Sequence, residues 1–131
     1  MKLDILALAA HPDDVELSAA GTLIKAIQAG RKAGIIDLTQ GELGTRGTPV
    51  IRKAEANDAA RIMGLSAREN LGFRDGFFTN DEEHQLEVVK MIRKYQPDIV
   101  LANAVSDRHT DHGKASELAK VACFISGLAN D

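Results

Sequence analysis

A chain of 131 residues with 44% hydrophobic and 27% charged residues can bury one modest core and has the make-up of an ordinary globular domain. A net charge of −3 supplies no basic face for a phosphate backbone and argues against nucleic acid as the main partner. Cys123 is the only cysteine, which excludes an intrachain disulfide framework; set in an apolar run, it reads as a small buried hydrophobe.

The first expected element is a strand over Lys2–Ala9, whose apolar run Ile5-Leu6-Ala7-Leu8-Ala9 ends in the polar cluster Ala10-His11-Pro12-Asp13-Asp14. Its resemblance to a secretory leader is faint, because the apolar stretch is short and Asp4 interrupts it. A helix is expected over Val15–Ala29, with Leu17, Gly21, Leu23, Ile24 and Ile27 inward and a stop at Gly30. Ala33–Thr39 reads as the second strand and Gln40–Thr48 as a glycine-rich loop. Pro49 opens a helix to about Met63 that stops at Gly64. A third strand over Arg68–Gly72, a loop over Arg74–Asp81 and a helix over Glu82–Tyr95 follow, the last with Leu86, Val89, Met91 and Ile92 inward. The fourth strand is Asp98–Asn103, followed by a loop over Ala104–Thr110 and a last helix from Asp111 to about Ser126. No run is long enough to cross a bilayer, so a cytoplasmic protein with no membrane partner is the expectation.

Strands that alternate with helices imply an α/β fold with a parallel sheet and right-handed crossovers. Order 3-2-1-4 would make it a Rossmann-like three-layer domain, here taken as one domain over 1–131. Ligands in such sheets bind beyond the carboxyl ends of the strands, at the switch point between strands 1 and 4. The loop after strand 1 carries His11, Asp13 and Asp14; the segment after strand 4 carries Asp107, Arg108, His109, Asp111 and His112. The topology therefore brings together residues from the two ends of the chain.

A histidine and two carboxylates at the end of a buried strand are costly without a partner, and a metal ion is the simplest one. His11, Asp14 and His112 form a two-histidine, one-carboxylate set with a position left for water, the ligand count of a catalytic zinc. Fe2+ or another divalent metal would accept the same donors. Asp13 is placed to take a proton from water, and Asp111 can hold a histidine in one tautomer. Arg46, in the glycine-rich loop, and Arg52, on the following helix, could clamp an anionic group of a substrate. The competing explanations are local. His-Pro-Asp-Asp could be a turn that caps a helix, Thr110-Asp111 could be a second cap, and Arg46 could pair with Glu42 or Glu55. His84 stands in a charged helical run and reads as solvated. The chain has neither a P-loop ending nor a Gly-x-Gly-x-x-Gly turn after strand 1, which weakens a nucleotide-binding reading.

Three stretches, AHPDDVELSAAGTL, DLTQGELGTRGT and DRHTDHGKA, in this order and spacing, resemble the PIG-L/LmbE-like family of zinc-dependent N-acetylglucosamine deacetylases. Within it they are most similar to the branch that deacetylates N-acetylglucosaminyl-malate in bacillithiol synthesis. The resemblance implies an amino-sugar substrate, zinc on His11, Asp14 and His112, and Asp13 as general base. It also implies His109, held by Asp111, as oxyanion stabiliser, and Arg46 and Arg52 as substrate contacts. Thr110 replaces a proline usual in the family, and Ala19-Ala20 a common Cys-Gly pair. Family members continue beyond this length with further strands, so an N-terminal catalytic portion is expected, with an open edge on strand 4 and a homo-oligomeric state. The alternatives are a non-catalytic metal- or sugar-binding fragment and a mononucleotide-binding half-Rossmann module.

Overall fold

Strand β1 (Ile5–Ala9) lies inside the sheet, between β2 (Ala33–Thr39) and β4 (Ile99–Leu101), with β3 (Ala67–Phe73) beyond β2. The computed structural model describes residues 1–44, 48–103 and 110–128. Its four strands are all parallel, in the order β3-β2-β1-β4. Leu6 pairs with Gly34 and Val100, and Ala7 with Ile35 and Leu101. Gly34 is required by close approach: a Cβ there would fall 2.7 Å from Leu3 Cδ1 and 3.1 Å from the Ala67 carbonyl.

The helices are α1 (Asp14–Ser18), α2 (Ala20–Gln28), α3 (Pro49–Met63), α4 (Glu82–Tyr95) and α5 (Thr110–Ser126). Side chains alternate across a strand, and β1 and β2 accordingly feed two cores. Leu6, Leu8, Ile36 and Leu38 pack with Val88, Val89 and Ile92 of α4 and Leu118 and Ala122 of α5. Ala7, Ala9 and Ile35 pack with Leu23 of α2 and Met63 of α3. Helices thus cover both faces, and β2 is buried at every position, as a central parallel strand must be. Each buried leucine or isoleucine contributes about 1.5–3 kcal/mol relative to exposure.

The three-layer architecture and strand order are those expected from the sequence; several local details differ. β1 starts at Ile5, not Lys2, because Asp4 is used as a bracket: its carboxylate accepts the Lys32 amide at 2.7 Å, and its own amide donates to the Lys32 carbonyl. The helix expected over Val15–Ala29 is broken at Ala19 (φ −132°), whose amide closes α1 on the Val15 carbonyl at 2.7 Å. Gly21 is exposed, and Leu23, Ile24 and Ile27 carry the inward face of α2. On α4, Leu86 is 44% exposed while Val88, Val89, Ile92 and Tyr95 are buried. At about 100° per residue Leu86 sits roughly 130° round the helix from the centre of that stripe. β4 is shorter than expected, since Ala102 and Asn103 leave the ladder. Among the described residues no helix is long and apolar enough to cross a membrane.

Candidate metal centre

The carboxyl end of β1 is pinned before any functional side chain is placed. The Ala10 carbonyl accepts both the amide and the hydroxyl of Thr39, at 3.1 and 2.9 Å, and its amide donates to Asn103 Oδ1 at 3.0 Å. This ties the ends of β1, β2 and β4 together and fixes where the next residue, His11, must start.

Asp14, the first residue of α1, folds back so that Oδ2 accepts the His11 amide at 3.0 Å. The same oxygen lies 3.2 Å from His112 Nε2 on α5, 3.6 Å from His11 Nδ1 and 3.5 Å from Asn103 Nδ2. The two imidazole centroids are 5.6 Å apart. Burial acts to raise the Asp14 pKa, but the hydrogen bonds from His11 and the positive charge of the histidines outweigh it and hold the carboxyl below its ordinary value.

The other edge of the His11 ring faces two buried carboxylates. Nε2 lies 2.8 Å from Asp111 Oδ2 and 2.9 Å from Asp75 Oδ1. Carboxylates only accept, so Nε2 carries a proton and Nδ1 is the nitrogen left for a ligand. Asp111 is held in turn by the Gly76 amide at 3.0 Å and the Lys114 ammonium at 3.1 Å. Asp75 accepts the Leu43 amide at 2.8 Å, and its own amide donates to Glu42 Oε2 at 2.9 Å. Burial alone would lower the His11 pKa, but Asp14, Asp111 and Asp75 surround the ring and push it up to about 9. Asp111, despite burial, is lowered to about 2 by His11, Lys114 and the Gly76 amide.

Two groups among the described residues bring three ligand atoms within 4.8 Å of one another: His11, Asp14 and His112, and His11, Asp75 and Asp111. A tetrahedral ion with bonds of about 2.0–2.1 Å holds its donors roughly 3.3 Å apart. The first group has this spacing, at 3.2 and 3.6 Å around Asp14. The second has hydrogen-bond spacing and already contains the Lys114 ammonium. The donors therefore fit a metal on the first group, with Asp75 and Asp111 backing His11 from the far side of the ring.

Asp13 caps α1 with a left-handed backbone (φ 83°), and its side chain is 55% exposed. Both it and Asp14 border a cavity of about 370 Å³ that also reaches Gly41, Arg52 and Asp75. Arg52 is turned toward the backbone, donating to the Gly41 and Pro12 carbonyls at 2.9 and 3.1 Å. Arg46 and His109 lie outside the described residues. His84, read from the sequence as solvated, is half-buried: Asp81 holds its Nδ1 at 2.6 Å and its ring meets Phe73 edge-on at 4.5 Å.

The model of the PIG-L family, described as GlcNAc-PI de-N-acetylase, matches residues 6–123. The chain belongs to the PIG-L family. That span includes every site residue named above. Among curated relatives, the chain is 31% identical to diacetylchitobiose deacetylase of Thermococcus kodakarensis over 96% of its own length and 51% of that protein. Among solved structures, a conserved protein of Thermus thermophilus superposes with a TM-score of 0.93 at 45% identity, over 98% of this chain and 58% of that one. The N,N'-diacetylchitobiose deacetylase of Pyrococcus horikoshii, complexed with an inhibitor, gives 0.89 at 29% identity, over 96% and 51%. The chain thus spans little more than half the length of these PIG-L relatives.

Asp75 and Asn103 are the site residues that sequence reasoning missed. Each follows a strand of the sheet at the same carboxyl edge as His11, and that position is the only signal the sequence holds for them.

Proposed function

We propose that this PIG-L chain carries the metal-holding portion of a hydrolase that removes the N-acetyl group from an N-acetylglucosamine conjugate. The observation that carries the proposal is the convergence of His11 and His112 on one carboxylate, Asp14, with donor spacing that suits a divalent ion. Zinc is the proposed metal, since two imidazoles and a carboxylate with an open position are its catalytic ligand set. When bound, such an ion polarises the amide carbonyl and lowers the pKa of the attacking water.

The residues of the chain supply the rest. Asp13, exposed at the cavity beside Asp14, accepts the proton of the attacking water. The water oxygen bonds to the acetyl carbon, the C–N bond breaks, and the proton held by Asp13 passes to the departing nitrogen, giving acetate and a free amine. Asp75 and Asp111 keep the proton on His11 Nε2, so that Nδ1 stays directed at the metal position. His109 is proposed as stabiliser of the developing oxyanion, and Arg46 and Arg52 as residues of the substrate side. The motif resemblance supports these three assignments and also favours N-acetylglucosaminyl-malate, of the bacillithiol route, as the substrate.

The test is metal content together with acetate release from N-acetylglucosamine conjugates, measured on this chain and on a longer version. One bound zinc and acetate release that a chelator abolishes support the proposal. Stoichiometric zinc with no acetate from either version would leave a binding domain and reject the hydrolase.

A further inference from the structure

The side chain of Lys114, on the second turn of α5, turns in toward the loop after β3 and is half-buried. Its ammonium donates to the Phe78 carbonyl at 2.9 Å and to the Gly76 carbonyl at 3.3 Å, and lies 3.1 Å from Asp111 Oδ1. An ammonium has three N–H donors, and three oxygens stand in reach of them. The nitrogen also sits over the ring of Phe78, a buried core residue, 4.6 Å from its centre. A lysine on a helix surface ordinarily keeps its charge in water. This one faces two backbone carbonyls and a buried carboxylate instead.

These contacts close a ring around His11. Gly76 is held at both its polar groups, because its N–H donates to Asp111 Oδ2 at 3.0 Å and its carbonyl accepts Lys114. Its backbone (φ 75°) is one that other residues seldom adopt, and a Cβ there would fall 3.1 Å from Leu43 Cδ1. The residue before it, Asp75, brings Oδ1 to 2.9 Å from His11 Nε2, beside Asp111 Oδ2 at 2.8 Å. Whether Asp75 reaches the imidazole therefore depends on where this loop lies. Two carboxylates on one ring nitrogen also repel each other, and a cation at Asp111 Oδ1 offsets that repulsion.

From this we infer that Lys114 is a positioning residue for the metal ligand His11: it braces the loop after β3 against α5, so that Asp75 and Asp111 grip Nε2 together. The inference rests on the metal-site reading for its affinity readout, but not for its readout in the metal-free protein.

Lys114→Met keeps the stem over Phe78 and removes the charge and the donors. Lys114→Arg keeps both. Zinc affinity, from competition with a chromogenic chelator, should fall about five- to tenfold in Lys114→Met, less than the cost of losing a direct partner of the ligand. Lys114→Arg should restore most of it. The losses in Lys114→Met and Asp75→Asn should not multiply: the double variant should fall short of their product by about threefold or more, as for groups that act on one ring. In the metal-free protein, nitrogen-15 NMR should show the His11 Nε2 proton exchanging faster with solvent in Lys114→Met and slowly again in Lys114→Arg. A purely structural lysine would lower the denaturant midpoint and leave this exchange and the coupling to Asp75 unmoved. Unchanged Nε2 proton exchange, or losses that multiply in full, would overturn the inference. Lys114→Gln, which removes the charge and keeps a polar end, replaces the methionine variant in each measurement if that one does not fold. If the unaltered chain takes up no zinc, the metal reading fails, and the Nε2 proton exchange decides the role of Lys114.

Discussion

His11 Nε2 lies 2.8 Å from Oδ2 of Asp111, a carboxylate with no exposure to solvent. A metal-ligating imidazole held on its far nitrogen by a carboxylate has its tautomer and its direction set before the ion arrives. Asp111→Asn keeps an acceptor oxygen but removes the charge that favours the Nε2 proton. Metal affinity should fall by about 10–100-fold, the usual cost of losing such a partner. Competition with a chromogenic chelator would show it. An unchanged affinity would mean that Asp75 holds the ring unaided.

Asp14 is the hub of the proposed ligand set, and His112 is its most distant member in sequence. Asp14→Ala and His112→Ala should each abolish stoichiometric metal, because two remaining donors leave too few bonds for a tight site. Plasma emission spectrometry on dialysed protein reads this directly. Asp75→Asn should keep the metal with weaker affinity, since its contact is to the far edge of the ring.

Asp13→Asn removes a proton acceptor without touching a proposed ligand. Metal content should be unchanged, and kcat for acetate release should drop about 10²–10⁴-fold, the range for loss of a general base. Turnover near that of the unaltered chain would reassign the base.

What could be read from the sequence follows from what each residue depends on. The parallel sheet needed only the alternation of apolar runs with helical stretches, and the order 3-2-1-4 of a doubly wound sheet placed the His11 loop beside the start of α5. That juxtaposition made His11, Asp14 and His112 visible as a set. Asp75 was hidden because an aspartate between Arg74 and Gly76 looks like turn chemistry until β3 and the Leu43 amide aim it at His11. The backbone grip of Arg52 was hidden for another reason: carbonyl oxygens occur at every residue, so the sequence cannot say which of them an arginine will find. Leu86 misled because its helix could be turned about its axis without breaking the apolar period, and only contact with the sheet chose Val88 and Tyr95.

Metal binding should be coupled to proton release. In the metal-free site His11 is pushed up to about 9, so at pH 7.5 it is charged. A metal takes Nδ1 only when that proton leaves. Asp14 and Asp111 are held low and are already ionised, so they give up none. The His11 contribution makes affinity rise about tenfold per pH unit below 9 and level off above it. Calorimetry in buffers of different ionisation enthalpy counts the protons. The same shift has a consequence for the metal-free fold. The folded-state pKa lies above the ordinary value, so its stabilisation is complete below about pH 6.5 and is lost as pH rises through 9.

The Arg68–Asp37 pair supports the site from below, through Glu16, whose carboxylate accepts Arg68 Nη2 at 3.1 Å and the Asp13 amide at 3.2 Å. Arg68 Nε and Nη2 reach the two Asp37 oxygens at 2.9 and 3.1 Å, and both side chains are almost wholly buried. Burial pushes Asp37 up to about 6, against the pull of Arg68. Arg68→Met leaves a buried carboxylate without its cation and should cost about 3–5 kcal/mol, read as a lower denaturant midpoint. The cost should shrink as pH falls, because an acid whose folded pKa is raised loses stability as pH rises from its ordinary value through the folded one. The double variant Arg68→Met with Asp37→Leu removes the orphaned charge and should regain most of the loss and lose that pH dependence. Glu16 would still have lost its anchor, so the Asp13 amide should exchange faster in the double variant even where its overall stability is restored.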